Sequence, residues 1–458
     1  MEHSADPSHS TRPDARVHIA RAQDLLRARD RVGARREADI ALGLPLGDLV
    51  ARNVLGSVLY ELDDLDAAQR LFQGVLAENP RYGDALNNLG NILAREGKPR
   101  PAREFYERAL AEAPANPDYL ANLGGVHQAL GDVAGALDCF ERALVIDPAH
   151  ADARWNRAIA RLLSGDLAGG FADYEARWQL PEFAARSFAA PRWNGENPRG
   201  CTILIHSEQG YGDTIQMVRF ARIIENRGGR VVLETRAPLA PLMRGVAGVG
   251  QVIVHGDALP PFDFHVPIMS LPAACGVKTL GDIPAEPYLR APDGGSIALP
   301  SHKGGERRVG LVWAGRPTHK NDRNRSLAPA HLSPLGAIPG VLLFSLQVGA
   351  RTEDLAQIPD IVDLAPQLTD FAATARAIAE LDLVICVDTA VAHLAGAMGK
   401  PCWLLLPFAP DWRWLLGRDD SPWYPSLRLF RQPRIGDWGD VVGRIARDLS
   451  AGGKPATI

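Results

Sequence analysis

The chain has 458 residues, 46% apolar and 23% charged, with a formal net charge of −4. That length exceeds what a single hydrophobic core organises, so two or three domains are expected. The charge balance speaks against nucleic-acid binding by bulk electrostatics. No apolar run reaches the roughly 18 residues of a membrane span, so no transmembrane segment is expected. Five cysteines, Cys139, Cys201, Cys275, Cys386 and Cys402, are scattered without a C-x-x-C pair. They fit free thiols in a reducing cytoplasm better than a disulfide frame or a zinc site. Residues 1–14 lack the apolar stretch of a signal peptide and read as a disordered lead. Residues 450–458 read as a disordered tail.

From residue 15 to 178 the sequence repeats. Pro80, Pro114 and Pro148 are 34 residues apart, as are Gly56, Gly90 and Gly124; Ala68, Ala102 and Ala136; and Phe72, Tyr106 and Phe140. Four positions on one period of 34 identify the tetratricopeptide repeat, a helical hairpin. Glycine and alanine let its two helices approach closely, and proline stops the second helix. The units are 49–82, 83–116 and 117–150, with a degenerate unit at 15–48 and an atypical cap at 151–178. Atypical end units are what a stacked α-solenoid requires. In the cap Ala158 stands where glycine stood and Gly170 where alanine stood. Asn88, Asn122 and Asn156 recur at one position of the first helix, on the expected concave face. A column of amides there can grip an extended peptide backbone without reading its sequence, or serve contacts within the repeats.

After residue 178 the period stops. Residues 179–199, rich in proline, asparagine and glycine, read as a linker. Residues 200–292 then alternate strands and helices: a strand at 202–206, a polar loop, an amphipathic helix at 215–227, and strands at 230–234, 251–254 and 264–267. After a second linker, 293–307, the pattern restarts over 308–449, with strands at 308–313, 341–347, 381–387 and 402–406, helices at 371–380 and 389–398, and a final helix at 437–449. Such alternation predicts two doubly wound α/β domains with parallel sheets, whose ligands bind beyond the carboxyl ends of the strands.

Three strand-end loops are unusually polar. The first holds His206, Glu208, Gln209, Gly212 and Asp213; its glycines permit close approach of a ligand. Asp213 suits either a helix cap or a general base. The second, 315–326, carries Gly315, Arg316, His319, Lys320, Arg323 and Arg325, a set suited to an anionic ligand such as a diphosphate. The third is Asp388-Thr389 with His393 one turn on. Thr389 opens a helix whose free amides suit a phosphate, His393 is placed to donate to the same group, and Asp388 is placed to accept from sugar hydroxyls. This half contains neither a D-x-D nor an H-E-x-x-H motif, so no metal site is expected.

Gly212-Asp213 together with the run Asp388 to Gly399 resembles the heptosyltransferase-like glycosyltransferases of family 9, over about residues 200–449. The order of repeats followed by this domain resembles the repeat-bearing bacterial glycosyltransferases, flagellin glycosyltransferases among them, and more distantly O-GlcNAc transferase. The resemblance implies a GT-B fold of two Rossmann-like domains. It implies an inverting, metal-independent transfer from a nucleotide sugar, which is a substrate and not a cofactor. It implies Asp213 as general base, and donor contacts from Asp388, Thr389 and His393, with Gly315, Lys320, Arg323, Arg325 and Gln347 on the same side. His206, Glu208, Gln209, Gly212 and Arg413 are placed on the acceptor side or in the cleft. A protein acceptor, with flagellin a candidate, would be recruited through Asn88, Asn122 and Asn156. The alternatives are a transferase acting on lipopolysaccharide or another glycan, and a repeat scaffold whose transferase fold is idle. Ala390, where heptosyltransferases often have glycine, and the segments Asp411–Trp414 and Ser421–Pro425 depart from the pattern and leave the donor sugar open. Arg413 between its two tryptophans suits either a ligand contact or packing between the domains.

Overall fold

The computed structural model describes residues 14–183, 185–300, 305–319 and 321–452. The chain divides into two compact units, Met1–Arg157 and Ala158–Ile458. The expected lead therefore lies almost entirely outside the described residues, as does most of the expected tail. Among the described residues, no helix is long and apolar enough to cross a membrane.

The first unit is a stack of helical hairpins: α1 (Ala15–Arg27), α2 (Arg31–Leu42), α3 (Leu49–Glu61), α4 (Leu65–Glu78), α5 (Gly83–Arg95), α6 (Pro99–Glu112), α7 (Pro117–Ala129), α8 (Val133–Ile146) and the start of α9 (Ala151–Ser164). The 34-residue period has a direct steric meaning. A Cβ on Gly56, Gly90 or Gly124 would lie 2.5–2.6 Å from a ring carbon of Phe72, Tyr106 or Phe140 respectively. In each hairpin an aromatic ring of the second helix thus rests on bare backbone of the first, and the fully buried Ala68, Ala102 and Ala136 complete the contact. The second helices end at Glu78, Glu112 and Ile146, two residues before the repeated prolines. The residue before a proline is pushed out of the helical region, which accounts for that stop.

The second unit continues with α9 and α10 (Leu167–Tyr174) and then holds two parallel sheets. The first comprises β1 (Thr202–His206), β2 (Arg230–Thr235), β3 (Gln251–Val254) and β4 (Phe264–Pro267), in the order β3-β2-β1-β4. Its helices are α11 (Tyr211–Met217), α12 (Ala221–Asn226), α13 (Ala240–Met243) and α14 (Leu271–Cys275). The second comprises β5 (Arg307–Val312), β6 (Val341–Ser345), β7 (Val362–Asp363), β8 (Leu383–Val387), β9 (Cys402–Leu406) and β10 (Leu427–Arg431), in the order β10-β9-β8-β5-β6-β7. Around it lie α15 (Asp322–Arg325), α16 (Ser333–Gly336), α17 (Thr352–Leu355), α18 (Phe371–Ala379), α19 (Ala390–Ala397) and α20 (Trp438–Ser450). The central strands β8 and β9 are buried at every residue, as expected of parallel strands covered on both faces. Their inner side joins Trp438, Val441 and Ile445 of α20 in one core. The edge strands β7 and β10 were not expected. One is two residues long, and the other interleaves arginine with leucine and phenylalanine, so neither shows a sustained apolar run.

Two further expectations are corrected. The helix over 215–227 starts earlier, at Tyr211, and is broken by a 3₁₀ turn at Val218–Phe220. Side chains take the carbonyls that a continuous helix would use. The Tyr288 hydroxyl donates to Ile215 O at 2.7 Å, and Arg219 Nε donates to Gln216 O at 2.8 Å; competition for these acceptors interrupts the ladder. The segment 179–199 does not hang free as a linker. Trp193 is buried and its N–H donates to His265 O, while His265 N–H donates to Pro191 O, so the segment extends the first sheet beside β4.

Candidate active site

The strand orders place the loops. In the first sheet the direction of progression reverses between β1 and β4, and in the second between β5 and β8. At such switch points the loops beyond the strands part and leave a crevice. Residues 207–213 follow β1, Gly315 follows β5, and Asp388-Thr389 follow β8.

Loop and helix meet across this crevice. Gly210 caps α11, and Asp213 reaches back so that its Oδ2 accepts the Gly210 N–H at 2.6 Å. Its Oδ1 pairs with Arg413, whose Nη1 also binds Asp411 Oδ1 at 2.9 Å and whose Nε donates to Gln216 Oε1 at 2.6 Å. The Asp213 side chain keeps 16% of its surface exposed. Gly212 faces the imidazole of His393 so closely that a Cβ would lie 2.8 Å from His393 Cδ2. His393 is buried, stacks on Trp414 at 5.3 Å and shares a 3.0 Å hydrogen bond between Nδ1 and the Tyr424 hydroxyl. Tyr424 can lie there because Gly396 offers no side chain to α19; a Cβ would meet the Tyr424 ring at 2.5 Å. Burial, with Arg413 and Arg219 nearby, holds the His393 pKa well below its ordinary value. Burial thus favours the neutral ring, which still carries one N–H donor.

Thr389 is the N-cap of α19, but its hydroxyl does not cap: the Oγ1 is buried and has no hydrogen-bond partner among the described residues. A buried, unpaired hydroxyl is costly. Set beside the free amides of a helix start, it suits an anionic oxygen. The backbone of Asp388 is held from the neighbouring loop, where Arg325 Nη1 donates to Asp388 O at 3.2 Å. The Asp388 carboxyl is pushed up to about 6, first by burial and then by the negative charge of Asp411. Gly315 lies under the Arg325–Asp322 pair: a Cβ there would sit 2.5 Å from Arg325 Nη2 and 2.6 Å from Asp322 Oδ1. Its N–H donates to Ser326 Oγ at 2.9 Å.

Other expected residues fall elsewhere. Lys320 lies outside the described residues, and Arg323 is on the exposed side of α15. Gln347 is a loop pin: its Oε1 accepts the Trp313 and Ala314 N–H groups at 3.1 and 3.0 Å. His206, Glu208 and Gln209 line a separate pocket of about 200 Å³ with Trp178, Phe183 and Arg186. There Glu208 is occupied by Arg177, at 2.9 and 3.0 Å, and by the Met269 N–H. Gln209 exchanges hydrogen bonds with the Tyr174 hydroxyl. His206 lies 3.3 Å from His265 Nδ1, and burial lowers its pKa to about 3.

Asp411, Gln216, Tyr424 and Arg219 were not anticipated. Arg219 is buried, donates to the carbonyls of Pro284 and Trp423, and lies over the rings of Tyr288 and Tyr424. A buried arginine in a helix carries no local sequence signal. The Asp-Trp-Arg-Trp run did stand out, but only folding brings it to Asp213.

Comparison with known proteins finds matches in both halves of the chain. Residues 53–117 and 117–150 match tetratricopeptide-repeat models. Residues 341–404, from β6 to β9, match glycosyltransferase family 9 (heptosyltransferase). The chain is 31% identical to the protein FlbA of Caulobacter vibrioides over 62% of its own length and 52% of that protein's, so it spans about half of this curated relative. Among solved structures, a tetratricopeptide-repeat protein of Thermus thermophilus is 18% identical over 37% of this chain and 93% of its own, with a TM-score of 0.34. A MamA fragment from Desulfovibrio magneticus is 19% identical over 37% and 93%, with a TM-score of 0.29.

Proposed function

From a chain that joins tetratricopeptide repeats to a domain of the family 9 glycosyltransferase type, we infer an inverting, metal-independent, cytoplasmic glycosyltransferase of the GT-B kind. It moves a sugar from a nucleotide-sugar donor to a hydroxyl of a protein acceptor, flagellin being the first candidate, which the repeats recruit. The observation that carries this reading is the meeting of α11 with residues that follow β8 and β9, Gly212 against His393 and Asp213 on Arg413.

The chemistry assigns each group a task. Each carboxylate oxygen of Asp213 has one donor and retains lone-pair capacity for the acceptor hydroxyl. Asp213 takes the hydroxyl proton while that oxygen bonds to the anomeric carbon. The bond from carbon to the phosphate oxygen breaks on the opposite side, and one displacement inverts the centre. Charge growing on the leaving diphosphate meets the amide end of α19, the Thr389 hydroxyl and Arg325. Asp388 accepts from donor hydroxyls. Neutral His393 positions α19 by filling the space against Gly212, held by Tyr424 and Trp414.

A glycan acceptor is the second reading. The pocket beside β1, with Trp178 and Phe183 next to Arg186 and His206, has the aromatic and polar lining that sugars use.

The test combines thermal shift with mass spectrometry, using UDP-, GDP-, ADP- and CMP-linked donors, with and without EDTA. One donor class is expected to raise the melting midpoint and to add its sugar mass to a protein acceptor. EDTA should leave transfer intact. Asp213→Asn should cut transfer about 10²–10⁴-fold while the donor shift remains. Transfer only to a lipid-linked glycan supports the second reading. No shift with any donor leaves a repeat scaffold with an idle transferase fold.

A further inference from the structure

The concave groove of the repeat unit carries more than its amide column. It has a volume of about 600 Å³ and is lined from α3, α5, α7 and α9. Two hydrogen bonds join amides of neighbouring repeats. Asn88 Nδ2 donates to Asn53 Oδ1 at 3.2 Å, and Asn122 Nδ2 donates to Asn87 Oδ1 at 2.9 Å. Asn53 and Asn87 are each 7% exposed and act as supports. Asn88 and Asn122 are thereby oriented where they line the groove, and Asn156 repeats the position.

Beside them runs a second column on the same period. Asp84, Asp118 and Asp152 are the second residues of α5, α7 and α9, and all are exposed in the groove. A favourable helix dipole alone explains acids at helix starts. It does not explain Glu61, which lines the same groove from the last residue of α3, the end where a carboxylate is disfavoured. Nor does it explain why, among the described residues, no lysine or arginine lines the groove. Asp84 accepts from the Tyr119 hydroxyl at 2.5 Å and Asp118 meets His150 at 3.1 Å, so both are oriented while keeping oxygen capacity.

We propose that this groove selects an extended, lysine- or arginine-bearing peptide segment, its backbone held by Asn88, Asn122 and Asn156 and its cationic side chains by Asp84, Asp118 and Asp152. This rests on reading the repeats as the acceptor's dock and names the class of segment that docks.

The test is fluorescence anisotropy on the full chain with three unstructured 12-residue peptides of one Ser/Gln scaffold, bearing lysine, no charge, or glutamate at alternate positions. The lysine peptide should bind about tenfold or more tighter than the neutral one, because three exposed charge pairs each contribute a few-fold. That margin should shrink in high salt. The triple variant Asp84→Asn/Asp118→Asn/Asp152→Asn keeps shape and should bring the margin below about threefold while the neutral peptide binds as before. Asn88→Ala/Asn122→Ala/Asn156→Ala should weaken all three peptides. Equal binding of all three peptides, or a lysine preference that survives the aspartate triple, overturns the proposal and leaves the docking reading standing. Binding of none by a chain with a normal melting curve overturns both.

Discussion

Asp388 is the residue at which site chemistry and stability conflict. Its carboxyl titrates near 6 in the folded chain, against an ordinary value of 3.8, because burial and Asp411 oppose its charge. The folded state therefore binds the proton more tightly than the unfolded one. The stabilisation from this group is complete below about pH 4 and is lost as the pH rises to 6, above which the ionised side chain is a net cost. A shift of this size corresponds to roughly 1–3 kcal/mol. Asp388→Asn should thus raise the melting temperature at pH 7 by several degrees, have little effect near pH 4, and still reduce transfer. Melting curves across pH 4–8 check this; an Asn variant that melts lower at pH 7 would show that the carboxylate is stabilised there. Such opposition between stability and placement is common where a site needs a particular charge.

At the scale of elements, two adjacent glycines of α7 show how the period works. Gly124 lies under the Phe140 ring, whereas a Cβ on the exposed Gly125 meets nothing within 4 Å. Gly124→Ala should cost about 1–3 kcal/mol by forcing α7 and α8 apart. Gly125→Ala should add about 0.5–1 kcal/mol by removing backbone freedom from the unfolded chain. Opposite shifts in denaturant midpoint from neighbouring glycines are the expected signature of a period set by packing. If both variants shift the same way, the hairpin is not held by the glycine–aromatic contact.

Within the second unit as a whole, Arg413 links the two sheets. It binds Asp213 and Gln216 from the first sheet's α11 and Asp411 from the loop after β9. Its side chain is only 8% exposed. Removing it leaves two carboxylates facing a partly buried space. Arg413→Met should therefore cost about 2–4 kcal/mol, towards the low end for a buried pair because Asp411 is 36% exposed. Arg413→Lys should recover less than half of that loss, since one ammonium cannot serve three acceptors held in a fork. Chemical denaturation of both variants checks it.

What the sequence determined by itself was everything periodic or local. The repeats were legible because a hairpin buries the same positions every 34 residues, and steric contact turns that into a glycine–aromatic–alanine rhythm. The central strands were legible because burial on both faces demands unbroken apolar runs. The Asp388–His393 motif was legible because a strand end and a helix start are neighbours in the chain. Tertiary structure alone decided the rest. Strand order made Gly315 and Asp388-Thr389 neighbours at one crevice. Folding brought Arg413 to Asp213 across 200 residues of chain. It assigned Gln347 to a loop and Glu208 to Arg177 instead of the crevice. Tyr288 broke a helix that looked continuous, by taking the Ile215 carbonyl from 73 residues away. In each case the deciding contact joins residues far apart in sequence, and such contacts leave no periodic trace to read.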